Sequence, residues 1–118
     1  MTARYNPILD KTYLFAKEMI SLYQGLASKK EYILSKQVLK SGTSVGANVE
    51  EAQQSQSRND FISKMQIALK EAYETRYWIR LLGDTGYISK EHRDRYLLSI
   101  TEIIRILAVI VARSRNKK

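Results

Sequence analysis

Residues that interrupt helices are scarce in this chain and confined to a few positions. Proline occurs once, at position 7, and the five glycines stand at positions 25, 42, 46, 83 and 86. Between them, apolar residues recur at steps of three and four, which is the spacing of an α-helix and not the alternation of a β-strand. A chain of 118 residues with this pattern is predicted to form one all-α domain over residues 1–118.

Four helices are predicted, over residues 7–25, 29–54, 58–82 and 90–113, with a basic tail over 113–118. Ser28 and Glu31 have the spacing of a capping box at the start of the second helix, and Ser57 and Asp60 form a weaker box at the third. The connections are short, so consecutive helices are expected to be antiparallel neighbours in an up-and-down four-helix bundle.

The fourth helix carries two apolar stripes, although one stripe is enough to face a bundle core. The second stripe consists of Tyr96, Ile103, Ile106 and Ile110. A helix that is apolar nearly all round has to be covered on more than one side. We therefore expect this stripe to pack against another copy of the chain in a homo-oligomer. The alternative is a wide core face with an apolar edge.

An unusual polar segment lies inside the second helix. Gly42 and Gly46 are four residues apart and share a face, and each costs about 1 kcal/mol relative to Ala in a helix interior. They are expected to let a neighbouring helix approach closely. Asn48 lies on the apolar face and is expected to pair with Glu71 of the third helix in a buried polar network. The alternative places Asn48 at the edge, bonded to water.

The charge balance is basic, with 20 Lys and Arg against 12 Asp and Glu, a net charge of +8. Such a balance favours a polyanion as partner, such as RNA, DNA or anionic lipid, and the alternative is an ordinary solvated surface that binds none of them. The basic residues singled out as nucleic-acid contacts are Lys29, Lys30, Lys36, Lys40, Arg113, Arg115, Lys117 and Lys118. For Lys36 and Lys40, one helical turn apart, ordinary solvation of a helix face is an equally good interpretation.

Nothing in the residue pattern predicts catalysis, a metal or a cofactor. The chain has no Cys and a single His, His92. The Glu-x-x-His pairs of a di-iron bundle are absent, since no His follows Glu71 or Glu74 at that spacing. The longest apolar run, 106–112, is far shorter than the roughly 20 residues of a membrane span, and residues 1–7 lack the apolar run of a signal peptide. We expect a cytoplasmic protein that does not enter a membrane.

Residues 37–52, QVLKSGTSVGANVEEA, resemble the signature of a bacterial family called the four helix bundle protein family. That family is related to the protein encoded in intervening sequences of bacterial large-subunit ribosomal RNA. It is also similar to the accessory variability determinant of diversity-generating retroelements. The resemblance covers residues 8–112, with Lys40 where the family often has Arg and Ala52 where it often has Gly.

The resemblance implies a homopentameric barrel of four-helix bundles without known catalysis, and its retroelement relative is thought to bind nucleic acid and a reverse transcriptase. The function predicted is a non-enzymatic homo-oligomeric scaffold that binds nucleic acid, most plausibly RNA. The alternatives are an adaptor for a protein encoded nearby, such as a reverse transcriptase, and a bundle enzyme. Because no base-reading motif or stacking platform of the usual RNA folds is present, binding is expected to show weak sequence preference.

Overall fold

The computed structural model describes residues 6–116, and within them all regular structure is helical. The helices are α1 (Pro7–Ser28), α2 (Leu34–Ala52), α3 (Arg58–Asp84) and α4 (Lys90–Asn116). The predicted all-α architecture of four helices is confirmed.

Each helix packs mainly against its neighbours in sequence, and a much sparser α1–α4 contact closes the ring. Antiparallel packing of α2 and α3 is marked by two contacts, Ser41 with Thr75 and Glu51 with Lys64. The connections 29–33 and 85–89 therefore lie together at one end of the bundle, which we call the loop end. The other end, the terminal end, holds the start of α1, the 53–57 connection and the last turn of α4.

The core is built from one face of every helix, with side chains repeating at the predicted steps of three and four. Fully buried examples are Phe15 and Met19 from α1, Val45 from α2, Ile79 from α3 and Leu107 from α4. Burying an apolar side chain of this size contributes about 1.5–3 kcal/mol relative to leaving it in water. The core stripes read from the sequence are therefore the faces that hold the bundle together.

The two glycines inside α2 lie against α1. A Cβ atom at Gly42 would collide with the side chain of Met19, and one at Gly46 would stand 3.2 Å from the backbone oxygen of Thr12. Both glycines are buried. The predicted close approach of a neighbouring helix is confirmed, and that neighbour is α1.

The first connection differs from the predicted capping box. Ser28 is the last residue of α1, where its hydroxyl donates a hydrogen bond to the carbonyl oxygen of Gly25 at 2.7 Å. The chain leaves the helical path at Lys30, whose φ of +67° lies in the left-handed region that few residues other than glycine adopt. As a result α2 begins at Leu34, later than the predicted residue 29.

Glu31 caps the N-terminus of α2 from outside the helix. Its carboxylate accepts hydrogen bonds from the backbone N–H groups of Leu34 at 3.1 Å, Ser35 at 2.6 Å and Ile33 at 3.3 Å. Burial is the largest single influence on the pKa of Glu31 and acts to raise it. The backbone hydrogen bonds and a side-chain hydrogen bond with Ser35 together outweigh burial and hold the pKa below its usual value. These bonds satisfy N–H groups that have no partner within the helix.

The starts of α3 and α4 follow the ordinary capping pattern. The hydroxyl of Ser57 accepts a hydrogen bond from the N–H of Asp60 at 3.0 Å, as the predicted box requires. The hydroxyl of Ser89 accepts one from the N–H of His92 at 3.0 Å. Both helices thus begin where their serine caps indicate.

The predicted basic tail is helical as far as it is described. α4 continues through Arg113 and Arg115 to Asn116, so these two arginines stand in its last turn. Cations are favoured there because the C-terminal end of a helix dipole is negative. Lys117 and Lys118 lie outside the described residues.

Candidate nucleic-acid interface

The six described basic residues that were predicted to contact nucleic acid do not form one patch. Lys29, Lys30, Lys36 and Lys40 lie in and after the 29–33 connection, towards the loop end, and all four are exposed. Arg113 and Arg115, also exposed, lie at the terminal end. A rise of about 1.5 Å per residue puts Arg113 about 35 Å along α4 from its start at the loop end.

We call Lys29, Lys30, Lys36 and Lys40 the loop-end lysines. In the described part of the chain, none of them has a carboxylate within ion-pair distance. Lys40 acts on Glu71 only from a greater distance, where its charge lowers the pKa of that carboxyl. The positive charge of these lysines is therefore directed largely to solvent.

Three carboxylates close to the loop end are engaged elsewhere, and Glu91, in the first turn of α4, is not among them. The carboxylate of Glu31 accepts hydrogen bonds from backbone N–H groups at the N-terminus of α2. Asp84 and Asp94 both pair with Arg93, each at 3.2 Å between guanidinium nitrogen and carboxylate oxygen. These three acids therefore have other partners, and the loop-end lysines keep exposed positive charge that attracts polyanions. Sequence reasoning found the lysines but had no way to show that these acids are occupied.

The predicted polar network between Asn48 and Glu71 is not formed. The side-chain amide of Asn48, which is half-buried, donates to the carbonyl oxygen of Ser44 in its own helix at 2.8 Å. Asn48 and Glu71 share no hydrogen bond within residues 6–116. Burial, reinforced by the neighbouring charge of Glu74, raises the pKa of Glu71, and Lys70 and Lys40 offset part of this rise.

The buried polar contact between α2 and α3 lies instead at Ser41 and Thr75. Both side chains are completely buried, and their hydroxyl oxygens are 2.9 Å apart. The Thr75 hydroxyl is also 2.7 Å from the carbonyl oxygen of Glu71. The signal that could have found this pair is periodicity, because Ser41 lies between Val38 and Val45 on the apolar stripe of α2.

The four residues of the second stripe of α4 differ in burial: two are buried and two are half-buried. Tyr96 and Ile103 are only 6% and 1% exposed, and they pack in the core of their own chain. These two residues therefore belong to a wide core face, which was the alternative to an interface between copies. They are not available to contact another copy of the chain. Ile106 and Ile110 are half-buried at the edge of the core. With Val109, which is 46% exposed, they form an apolar strip on α4 between Arg105 and Arg113.

A cleft runs between α1 and α4, where the two helices pack sparsely. Lys11 and Glu102 bridge it, with the ammonium nitrogen 3.0 Å from a carboxylate oxygen. Leu14 and Leu98 are exposed on the outer surfaces of the same two helices. The cleft is a surface groove with mixed walls, apolar at Leu14, Phe15 and Ile103 and polar at Glu18 and Ser99.

Neither a metal cluster nor a membrane span is found among residues 6–116. No group of three or more His, Cys, Asp or Glu side chains in that part of the chain could hold a metal ion. No described helix is long and apolar enough to cross a membrane.

Comparison with known families identifies the chain. The model of the 23S rRNA-intervening sequence protein family matches residues 5–109. The chain belongs to this family. The resemblance read from residues 37–52 is thereby confirmed, and the match to the 23S rRNA-intervening sequence protein family takes in α1, α2, α3 and most of α4.

One solved structure has the same fold as this chain. It is a Bacteroides thetaiotaomicron protein described as having unknown function and as coming from the S23 ribosomal protein family. It is 48% identical to this chain, with a TM-score of 0.87, and the match covers 88% of this chain and 97% of that one. The curated proteins gave no match.

Proposed function

We propose that this chain is a non-enzymatic, homo-oligomeric scaffold that binds nucleic acid, RNA foremost, through basic surface residues. The observation that carries the proposal is the set of loop-end lysines, which are exposed and have no ion-pair partner in the described part of the chain. Lysines in this state neutralise phosphates and release the counterions that surround a nucleic acid, which favours association.

Oligomerisation rests on the apolar strip of Ile106, Val109 and Ile110. Exposed apolar side chains that adjoin one another commonly mark an interface. The occupant we propose is a second copy of this chain. A ring of five copies is what the family resemblance implies, whereas the strip itself argues for an interface and not for a number. A closed ring would repeat the loop-end lysines and raise the avidity for a long polyanion.

The test of nucleic-acid binding is fluorescence anisotropy with labelled RNA and labelled DNA over a salt series. The logarithm of affinity is expected to fall linearly with the logarithm of salt concentration. Lys36→Gln should weaken binding and flatten this slope by about 0.7 for each phosphate of a single strand that is no longer neutralised. The matched control is Lys64→Gln, because Lys64 already pairs with Glu51 and Asp60. An equal effect of the two variants would contradict the assignment to the loop end.

Arg113 and Arg115 are tested separately, since they lie at the terminal end. Their substitution by Gln is preferable to truncation after Ala112, which would remove a helical turn of α4. Because both arginines are exposed, we expect their substitution to weaken binding and to leave the oligomer intact. Unchanged affinity would exclude the two arginines as contacts and leave the loop-end lysines as the binding surface.

A protein adaptor is the second function considered, and the α1–α4 cleft favours it. Exposed Leu14 and Leu98 lie on the two helices that form this cleft. A protein encoded nearby, such as a reverse transcriptase, would be the partner. Absence of RNA and DNA binding at low salt would overturn the nucleic-acid proposal in favour of this one.

A further inference from the structure

Two tyrosines stand exposed on the outer face of α3, one helical turn apart. Tyr73 is 47% exposed and Tyr77 is 53% exposed, although α3 buries its opposite face fully in the core. Neither ring is needed to fill the interior. Tyr77 also adjoins Trp78, with ring centroids 5.1 Å apart and an angle of 71° between the ring planes. Aromatic surface is thus concentrated on this face of α3.

Cations accompany these rings. The guanidinium carbon of Arg76 lies 4.9 Å from the centre of the Tyr73 ring, a cation–π arrangement that holds the planar guanidinium group beside the ring. Lys70 and Arg80 are exposed on the same helix, one before and one after the tyrosine pair. Neither has an ion-pair partner in the described part of the chain.

Two acids lie within this stretch: Glu71 is half-buried, and Glu74 is partly engaged by a tryptophan. A carboxylate oxygen of Glu74 accepts a hydrogen bond from the indole N–H of Trp78 at 3.2 Å. Glu74 and Trp78 are one turn apart, as are Tyr73 and Tyr77, so the two pairs form adjacent rows on α3. The tyrosine row therefore has Arg76 and Arg80 on the row at one side, and Lys70 with the Glu74 carboxylate on the row at the other side.

We propose that the outer face of α3 binds unpaired nucleic-acid bases, which stack on Tyr73 and Tyr77 while Lys70, Arg76 and Arg80 neutralise the adjoining phosphates. This inference rests on the proposed nucleic-acid binding and adds a site and a preferred form of ligand. Aromatic rings and guanidinium planes beside a basic groove are the means by which proteins bind single strands without reading sequence.

The spacing of the rings favours a single strand over a duplex. Residues four apart on an α-helix are separated by about 6 Å along its axis. Bases on one strand of a duplex are about 3.4 Å apart and already stacked on each other. Two bases in contact with the two rings must therefore be splayed, which an unpaired strand permits and a duplex resists.

The test is a comparison of a labelled oligouridylate with a labelled RNA duplex of equal length, by anisotropy at one salt concentration. The variant is Tyr73→Leu combined with Tyr77→Leu, since leucine retains helix propensity and apolar surface but has no ring. We expect affinity for the single strand to fall about tenfold or more, and affinity for the duplex to change less than about twofold.

The matched control is Tyr13→Leu. Tyr13 is an exposed tyrosine of α1 with the ammonium of Lys17 at 5.3 Å from its ring centre, but it lies on another face of the bundle. This variant should bind both RNAs as the wild type does. Equal losses for single strand and duplex, or no loss at all in the double variant, would overturn the site on α3.

A second readout uses Trp78, the only tryptophan of the chain. When oligouridylate is added, bases that stack on the adjacent Tyr77 should quench the fluorescence of Trp78. The double variant should lose this quenching. A wild type that binds neither RNA would overturn the proposed function and this inference together. A double variant with an altered mass in light scattering would show that α3 faces a second copy, which also overturns the inference.

Discussion

Ser41 of α2 and Thr75 of α3 meet inside the bundle with their hydroxyl oxygens 2.9 Å apart and no exposure to water. Each group gives the other a partner in a region where an unpaired hydroxyl would be expensive to bury. Because only one register of the two helices brings the groups together, the pair also fixes how α2 slides along α3.

Thr75→Val tests this pair with nearly the same side-chain shape. The Ser41 hydroxyl would lose its interhelical partner, and the free energy of unfolding should fall by about 1–3 kcal/mol. Urea denaturation at fixed protein concentration measures it. Asn48→Leu serves as the control, because the Asn48 amide bonds only within its own helix, and it should change stability far less. A larger loss from Asn48→Leu than from Thr75→Val would contradict this account.

Gly46→Ala and Gly25→Ala should change stability in opposite directions. At Gly46 the new Cβ would stand 3.2 Å from the backbone oxygen of Thr12, which cannot move without shifting α1. The expected loss is about 1–3 kcal/mol. At Gly25 the Cβ meets nothing within 4 Å, and alanine should stabilise α1 by about 0.5–1 kcal/mol. Thermal and urea unfolding measure the change in the free energy of unfolding for each variant. If both variants were stabilised, the close approach of α1 to Gly46 would be unimportant.

Glu31→Ala should remove the cap of α2. The expected loss at neutral pH is about 0.5–1 kcal/mol, the lower part of the range for caps because the carboxylate is partly solvated. The pKa of Glu31 is lowered in the folded state, so its stabilising effect is complete above the ordinary value of 4.5 and is lost as pH falls through the lowered pKa. Urea unfolding of wild type and variant across pH should therefore converge in acid. A difference that persists there would point to a role other than the charged cap.

Glu71→Gln should have the reverse pH dependence. Burial, followed by the charge of Glu74, raises the pKa of Glu71, so the folded protein holds this proton more tightly than the unfolded chain does. As pH rises from 4.5 through the raised pKa, the wild type loses stability that the Gln variant keeps. The curves of unfolding free energy against pH for the wild type and for Glu71→Gln should diverge over that window.

Lys40→Gln should raise the pKa of Glu71 further, because the charge of Lys40 lowers that pKa. An NMR titration of the Glu71 carboxyl measures it.

Ile106→Glu tests the proposed oligomer. A carboxylate in the apolar strip would be desolvated without a partner, so the assembly should dissociate while circular dichroism still reports helices. Light scattering gives the mass of the wild type and of the variant. Ile67→Glu is the control, because Ile67 is exposed on α3, away from the strip. A wild type that is monomeric at micromolar concentration would end the oligomer proposal.

Periodicity was enough to predict the four helices and their core faces, and the boundaries depended on local chemistry. Ser57 caps α3 as its spacing predicts. The start of α2 was misplaced because Lys30 adopts a left-handed conformation that its residue type does not signal.

The candidate site could be predicted from the sequence less well than the helices, because it depends on how the helices pack against one another. Tyr96 and Ile103 are core residues because α4 turns a wider arc inward than one stripe implies. The eight basic residues were chosen by charge alone. The distribution of the six that the structure describes between two ends of the bundle, and the engagement of Glu31, Asp84 and Asp94 by other groups, follow only from the packed helices.

The sparse α1–α4 contact also bears on how the chain folds. The other three helix pairs join neighbours across short connections, so most contacts are local and can form rapidly. The cleft bridged by Lys11 and Glu102 instead joins segments from opposite ends of the sequence and requires the closure of a long loop. We therefore expect it to be the last contact between helices to close during folding and the first to open in native-state fluctuations.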